Sequence, residues 1–408
     1  MLIGIDASRA VLSQKTGTEH YSEQIIYNIS KIDKTNQYIL FSEKAPDPNS
    51  LMAKLPKNFT WRIIPFGYLW TQIRLSYEMI HWKNKLDVLF VPAHTIPLIH
   101  PKNVITTIHD LGFEYFPALY AQKPIGPNNW FIKNLLNIGI RIVTLGKFGN
   151  SEYDYHRWAM RHAVQNATKI IAISEFTKKD IVNKYHANPE QIDIVYHGFD
   201  AGNLCPLIHS KHQEISQKTT KNYKPYLFFV GRIERKKNIL NLLKAFVHLK
   251  KTKHIPHKLV LAGMPGLGYE EIKKYLLNLD KILQQDIIEL GYVDSDKLIY
   301  YQQNADAFVF PTLFEGFGMP ILESFACGVP VICSDTTACP EIANNAAKLV
   351  RPKDNKDIAK GIFEVISNKE YHNQLVKKGF VRVRQFSWEK AAKQTLDAIL
   401  DCAKNNKS

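Results

Sequence analysis

The chain predicts an α/β protein of two Rossmann-like, doubly wound domains, and three observations point there. Short runs rich in β-branched and aromatic residues alternate with helically periodic segments in both halves, the pattern of parallel sheets covered by helices. A length of 408 residues is long for one hydrophobic core and suits two. Residues 203–224 carry Pro206, several Lys and little apolar periodicity, and read as a linker. The expected division is therefore 1–202, a linker over 203–224, and 225–385, with a last helix over 386–405.

Composition narrows the function classes. The formal charge is +15, from 53 Lys and Arg against 38 Asp and Glu, with an excess of cations across residues 51–150. Such a surface attracts nucleic acid, anionic lipid or phosphorylated ligands alike. No zinc-finger spacing, RNP-type aromatic motif or long basic run supports nucleic acid. No apolar run reaches the roughly 18 residues of a membrane span; LLNIGIRIVTLG is short and carries Arg141. The opening MLIGIDASRA has neither a basic leader nor an apolar signal core and reads as a strand ending in Asp6, so a cytoplasmic protein is expected. Cys205, Cys327, Cys333, Cys339 and Cys402 form an odd set without a CxxC pair, which predicts buried reduced thiols rather than disulfides or a metal site.

In the N-terminal half, LIGIDA is a buried strand. Tyr21, Ile25, Ile26 and Ile29 then fall at helical spacing, preceded by Gly17 and by Thr18 as the expected N-cap. A strand, a glycine loop and a helix place N–H donors at a strand's carboxyl end, where open α/β sheets bind ligands; a plain turn has the same signature. Further strands are expected over Tyr38–Glu43, Trp61–Phe66, Leu86–Pro92 and Val104–Ile108, the last ending in His109 and Asp110. Lys123 to Lys147 mixes Trp130, Phe131 and Leu135 with Lys133 and Arg141. It suits either an interfacial amphipathic segment or a helix pair packed on the sheet with snorkelling cations. Ile170–Ile173 is a strand, Ser174 caps the following helix, and Ile192–Asp200 is the half's last strand.

The C-terminal half opens with the strand Tyr226–Val230, followed by Gly231, Arg232, Lys236 and Lys237 before a helix. Cations in that position can meet a diphosphate, Arg as a fork and Lys as a point charge. After the strand Asp306–Pro311 comes FPTLFEGFGMPILESFACGVP, in which Glu315 and Glu323 flank Gly316, Phe317, Gly318, Met319 and Pro320. Pro320 suits the first turn of a helix, and N–H groups of Gly316 to Met319 at that helix N-terminus favour an anion. Glu315 then stands at the strand end and Glu323 about one turn into the helix. A turn beside a solvated helix face would look alike. A G-x-G-x-x-G fingerprint is missing, which disfavours an NAD oxidoreductase.

The run FEGFGMPILESFACGVPVICSD resembles the E-x7-E segment of retaining glycosyltransferases of the GT-B fold, the GT4 family, through Pro330, Ser334 and Glu341, and the likeness extends over nearly the full length. It implies two Rossmann-like domains facing across a cleft, with the final helix returning to the first. It also implies a nucleotide-sugar donor held by Arg232 and Lys237 at the diphosphate, Val293 at the base and Glu323 at the ribose. Gly316, Phe317, Gly318 and Met319 would supply N–H groups, and Gly17 and Thr18 would belong to a loop over the diphosphate. Glu315 and His109 would be the catalytic pair, Glu315 at the sugar and His109 at sugar or acceptor.

No metal is implied. Asp294–Ser295–Asp296 spells the D-x-D of another nucleotide-sugar transferase fold, but it directly precedes the helix KLIYYQQ and reads as its cap. The segments TGTEHYS and FEGFGMP are most similar to mannosyl- and hexosyltransferases of surface polysaccharide or lipopolysaccharide synthesis. GDP-mannose is thus the expected donor, with a UDP-hexose next. A glycan or lipid-linked saccharide is the expected acceptor, with an anionic membrane face as a peripheral contact. A sugar-nucleotide 2-epimerase of the same fold and a non-catalytic sugar-nucleotide-binding protein are the alternatives.

Overall fold

Alternation within each strand builds the fold. In Val88–Val91, Val88 and Phe90 enter one apolar cluster with Ile3, Ile5, Ile105 and Ile171, while Leu89 and Val91 enter another with Val104, Ile108 and Ile170. Burial on both faces is what an all-parallel sheet between two helix layers requires. The computed structural model describes residues 1–13, 15, 17–65, 70–121, 151–200 and 223–404. It separates into two compact units, Met1–Gly198 with Ser387–Ser408, and Phe199–Phe386.

The first unit carries β1 (Leu2–Asp6), β2 (Gln37–Ser42), β3 (Phe59–Ile63), β4 (Val88–Val91), β5 (Val104–Ile108), β6 (Lys169–Ala172) and β7 (Ile192–Ile194). They form one sheet in the order β3-β2-β1-β4-β5-β6-β7, with every pairing parallel. Tyr21, Ile25, Ile26 and Ile29 of the first helix (Gly17–Ile32) are fully buried, as their spacing predicted. The C-terminal helix (Trp388–Lys404) packs beside it through Trp388, Ala391, Ala392, Thr395, Ala398 and Ile399. Lys169 anchors that helix, reaching Asp193 at 2.8 Å and Asp401 at 2.6 Å. Gly198 lies so close that a Cβ there would sit 2.3 Å from the Trp388 Cα.

The second unit carries β8 (Tyr226–Val230), β9 (Lys258–Ala262), β10 (Ile287–Gly291), β11 (Ala307–Phe310), β12 (Val331–Ser334) and β13 (Ala347–Val350). Their order is β10-β9-β8-β11-β12-β13, again all parallel. Each sheet thus reverses its winding once, between β1 and β4 and between β8 and β11. Doubly wound sheets bind ligands at such switch points, beyond the carboxyl ends of the strands.

Several expected boundaries shift. β3 starts at Phe59 and ends at Ile63 because it follows the register of β2, pairing Tyr38 with Phe59 and Ser42 with Ile63. β7 ends at Ile194, since its partner β6 offers ladder positions only to Ala172. The first helix begins at Gly17, so Thr18 lies inside the first turn rather than at the cap, its carbonyl accepting from the Ser22 hydroxyl. Ser174 does cap its helix, accepting from the Thr177 N–H at 3.0 Å. Cys333, Cys339 and Cys402 are buried, but Cys327, at a helix end, is half-buried. Cys205, the segment Lys123 to Lys147 and nearly all of the expected linker lie outside the described residues. No described helix is long and apolar enough to cross a membrane.

Candidate functional site

The second unit's switch point gathers the strongest candidates. β8 runs out at Val230 into Gly231 (φ +142°), whose N–H donates to the Ala262 carbonyl. Gly263 (φ +150°) passes so close that an added Cβ would lie 1.9 Å from the Gly231 carbonyl oxygen. Only glycine fits there, and the two crossing backbones set where the chain leaves the sheet. Beyond them Arg232 is exposed, and no described residue pairs with its guanidinium. A 3-10 turn, Arg235–Lys237, leads through Asn238 in a left-handed conformation (φ +62°) to the helix Ile239–Lys253. Asn238 is a residue type that tolerates this geometry. Its buried side-chain amide donates to the Pro311 carbonyl at 2.8 Å and the Pro352 carbonyl at 2.6 Å.

Those bonds place Lys237 against β11's loop. Its Nζ lies 2.5 Å from Glu315 Oε1 and 5.3 Å from the centre of the Phe310 ring. The loop is tethered again where the Leu313 N–H donates to the Lys236 carbonyl, 2.9 Å, and the Ser334 hydroxyl to the Thr312 carbonyl, 2.5 Å. The helix Met319–Ala326 follows, with Pro320 in its first turn and Gly318 (φ +104°) at its N-cap. Neither the Gly318 nor the Met319 N–H donates to another described residue. Gly316 and Phe317 are buried and make contacts of their own; the Phe317 ring meets Phe386 edge-on at 5.9 Å. The Glu323 carboxyl, half-buried in that helix, has no hydrogen-bonding or charged partner among the described residues, and burial pushes its pKa up to about 7. Val293 stands just past β10 beside the exposed Tyr292.

The D-x-D segment opens its helix, as expected, but without a side-chain capping bond. The helix starts at Ser295, two residues before Lys297, and Asp294 takes the N-cap position. Its carboxylate lies instead 3.9 Å from Lys297. No group of three or more metal-ligating side chains occurs among the described residues.

Gly17, Thr18 and His109 belong to the first unit. Gly17 is exposed at the start of its helix, and no described atom lies within 4 Å of where a Cβ would stand. His109 follows β5 and donates from Nε2 to the Pro92 carbonyl at 3.2 Å, which leaves Nδ1 as its acceptor. Burial lowers its pKa against the opposing pull of that carbonyl and Asp110, so the neutral ring is favoured. Tyr21 meets it edge-on at 4.8 Å. Two further features of this sheet edge went unread in the sequence. Asp6, at the end of β1, accepts from the Trp70 indole at 2.9 Å, and His94 Nε2 lies 2.7 Å from His156 Nδ1. Partners 62 residues apart leave no local pattern, so only the folded sheet could expose that histidine pair.

Comparison with known proteins agrees with this fold. Residues 39–203 match the family described as Glycosyltransferase Family 4, and residues 211–382 match Glycosyl transferases group 1. The chain is 27% identical over 307 residues to O-antigen chain mannosyltransferase B of Escherichia coli, covering 74% of this chain and 78% of that protein. Among solved structures it resembles sucrose-phosphate synthase from Thermosynechococcus elongatus, with a TM-score of 0.68 at 18% identity over 99% of this chain and all of that one. It also resembles the Anabaena protein HepE, solved in complex with UDP-glucose, with a TM-score of 0.65 at 15% identity over 98% and 99% of the two chains. Two parallel sheets, each with one switch point, and two family matches that between them span most of the sequence lead to one conclusion: the chain belongs to the group 1, Family 4 glycosyltransferases and has the GT-B fold.

Proposed function

We propose that this glycosyltransferase moves a hexose, mannose in the first instance, from a nucleoside-diphosphate sugar to a glycan or lipid-linked saccharide. It does so with retention of configuration and without a metal. The observation that carries the reading is the Lys237–Glu315 contact at the β8/β11 switch point, with the exposed Arg232 on the loop leading to Lys237. A diphosphate leaving group gains charge as its bond to the sugar breaks. Arg232, Lys237 and the N–H groups of Gly318 and Met319 are fixed donors able to offset it. Glu323 accepts from ribose hydroxyls, and Val293 contacts the base.

In the proposed reaction the C1–O bond to the phosphate breaks while the acceptor hydroxyl attacks from the same face. The hydroxyl proton passes to a donor phosphate oxygen, and Glu315 holds sugar hydroxyls and steadies the oxocarbenium-like charge. His109, with a free Nδ1, accepts from a sugar or acceptor hydroxyl. Gly17 and Thr18 are proposed as further donor-binding residues. Similarity to an O-antigen mannosyltransferase supports GDP-mannose as first donor, and similarity to a protein solved with UDP-glucose keeps a UDP-hexose second. The excess of cations suits an anionic membrane face near a lipid-linked acceptor.

A thermal-shift panel of sugar nucleotides tests the donor. The true ligand at about 100 times its Kd adds roughly 2.7 kcal/mol of stability. A panel without any shift removes the reading, and turnover of UDP-GlcNAc with no acceptor present would replace it with 2-epimerisation.

A further inference from the structure

We infer that Thr337 is a positioning residue for Glu315, holding the acid's backbone through a conformation that threonine disfavours. The inference rests on the reading of Glu315 given above. Thr337 lies beyond β12, between Ser334 and the short helix Cys339–Ala343, with φ +60°. Positive φ is uncommon outside glycine and is an outlier for a β-branched side chain, because Cβ crowds the neighbouring carbonyl. Such residues persist where surrounding structure over-determines them, and they cluster at functional sites.

The contacts explain the conformation. The Glu315 N–H donates to Thr337 Oγ1 at 3.2 Å. The Thr337 hydroxyl proton is engaged locally, donating to the Thr336 carbonyl at 2.7 Å, so the oxygen offers its lone pair to Glu315. From the next residue, the Ala338 N–H donates back to the Glu315 carbonyl at 3.3 Å. Both backbone polar groups of Glu315 are therefore held by Thr337 and Ala338. The buried Cys339 thiol, two residues beyond Thr337, lies 3.8 Å from the Thr312 hydroxyl. Glycine at 337 would satisfy the dihedral without strain but would supply no acceptor. An exact side-chain placement at Glu315 thus depends on a hydroxyl whose backbone is strained.

Three substitutions separate positioning from mere packing. Thr337→Ser keeps the acceptor and is expected to hold kcat within about two-fold. Thr337→Val keeps the shape and removes the acceptor, and Thr337→Gly removes both acceptor and strain. Each is expected to lower kcat about ten-fold, in line with the sensitivity of catalysis to sub-ångström displacement, while donor KM changes less than about three-fold. Thr337→Gly is expected to do so with Tm within about 2 °C of wild type, so loss of fold cannot account for its rate. Wild-type kcat in the Gly and Val variants, or an equal loss in the Ser variant, overturns the inference. Glu315→Gln serves as the control: wild-type kcat there overturns both this inference and the role assigned to Glu315, whereas a slow Glu315→Gln beside fast Thr337 variants overturns only the inference.

Discussion

Lys237 Nζ and Glu315 Oε1 stand 2.5 Å apart across the carboxyl ends of two neighbouring parallel strands, although 78 residues separate them in the chain. In the proposed reaction the ammonium meets the donor diphosphate and the carboxylate holds the sugar. Both side chains are largely shielded from solvent where they meet.

Removing either partner should have a distinct effect. Glu315→Ala is expected to lower kcat by about 10²–10³ while the donor-induced thermal shift persists, since the lost contact is to the sugar in the transition state. Lys237→Ala is expected to weaken donor binding by about ten- to a hundred-fold, equal to roughly 1.4–2.8 kcal/mol. Calorimetric titration with the donor found by the thermal-shift panel, beside steady-state rates, distinguishes the two.

Glu323 gives a pH signature. Its pKa lies near 7 in the folded chain, above the ordinary value of 4.5, so between those values the folded state binds the extra proton. Its contribution to stability therefore falls as pH rises through that window and is flat above about 7. Urea unfolding of wild type minus Glu323→Gln, measured from pH 4.5 to 8, should show this slope. In the proposed binding mode ribose hydroxyls donate to the ionised form, so donor affinity should improve toward pH 8 in wild type and lose that trend in the variant.

His109 should behave as a neutral base or acceptor. His109→Ala is expected to lower kcat/KM by about 10²-fold, while His109→Gln, which can still donate to the Pro92 carbonyl, separates that loss from any change in Tm. Donor thermal shift is expected to survive, since the contacts proposed for Arg232, Lys237 and Glu323 remain.

Gly198→Ala addresses the C-terminal helix. The new methyl would press on the Trp388 backbone at 2.3 Å, and overpacking of this kind costs about 1–3 kcal/mol. Denaturant unfolding should show that loss. Lys169→Met, which leaves Asp193 and Asp401 without their shared cation, should weaken the same attachment by a smaller amount at high salt than at low salt.

Metal independence has a direct check. Activity in excess chelator should equal activity with added manganese, because fixed cations and N–H groups carry the proposed charge stabilisation. Loss under chelator with recovery on manganese would reject that part of the mechanism.

Much of this protein could be read from local pattern. Parallel strands buried on both faces leave dense apolar runs, and Val104–Ile108 and Tyr226–Val230 were legible to the residue. Pro320 at a helix start and Ser174 at a cap are chemistry of one turn, so the chain announces them. β3 was misjudged because its limits follow the register of β2, which Trp61 and Phe66 do not encode. Asp294 stands at the expected cap position, but its side chain turns to Lys297, a contact that the cap pattern does not encode.

What the sequence determined alone was the alternation of strand and helix, the position of each glycine loop, and a short stock of cations and carboxylates beside them, all written within a few residues. Tertiary structure alone decided that Lys237 meets Glu315, that Thr337 grips the same acid, and that the last helix lies on the first. These depend on strand order and register, which bring together groups tens of residues apart. Pattern has the period of a turn or a strand, whereas a site is set by which strand ends become neighbours.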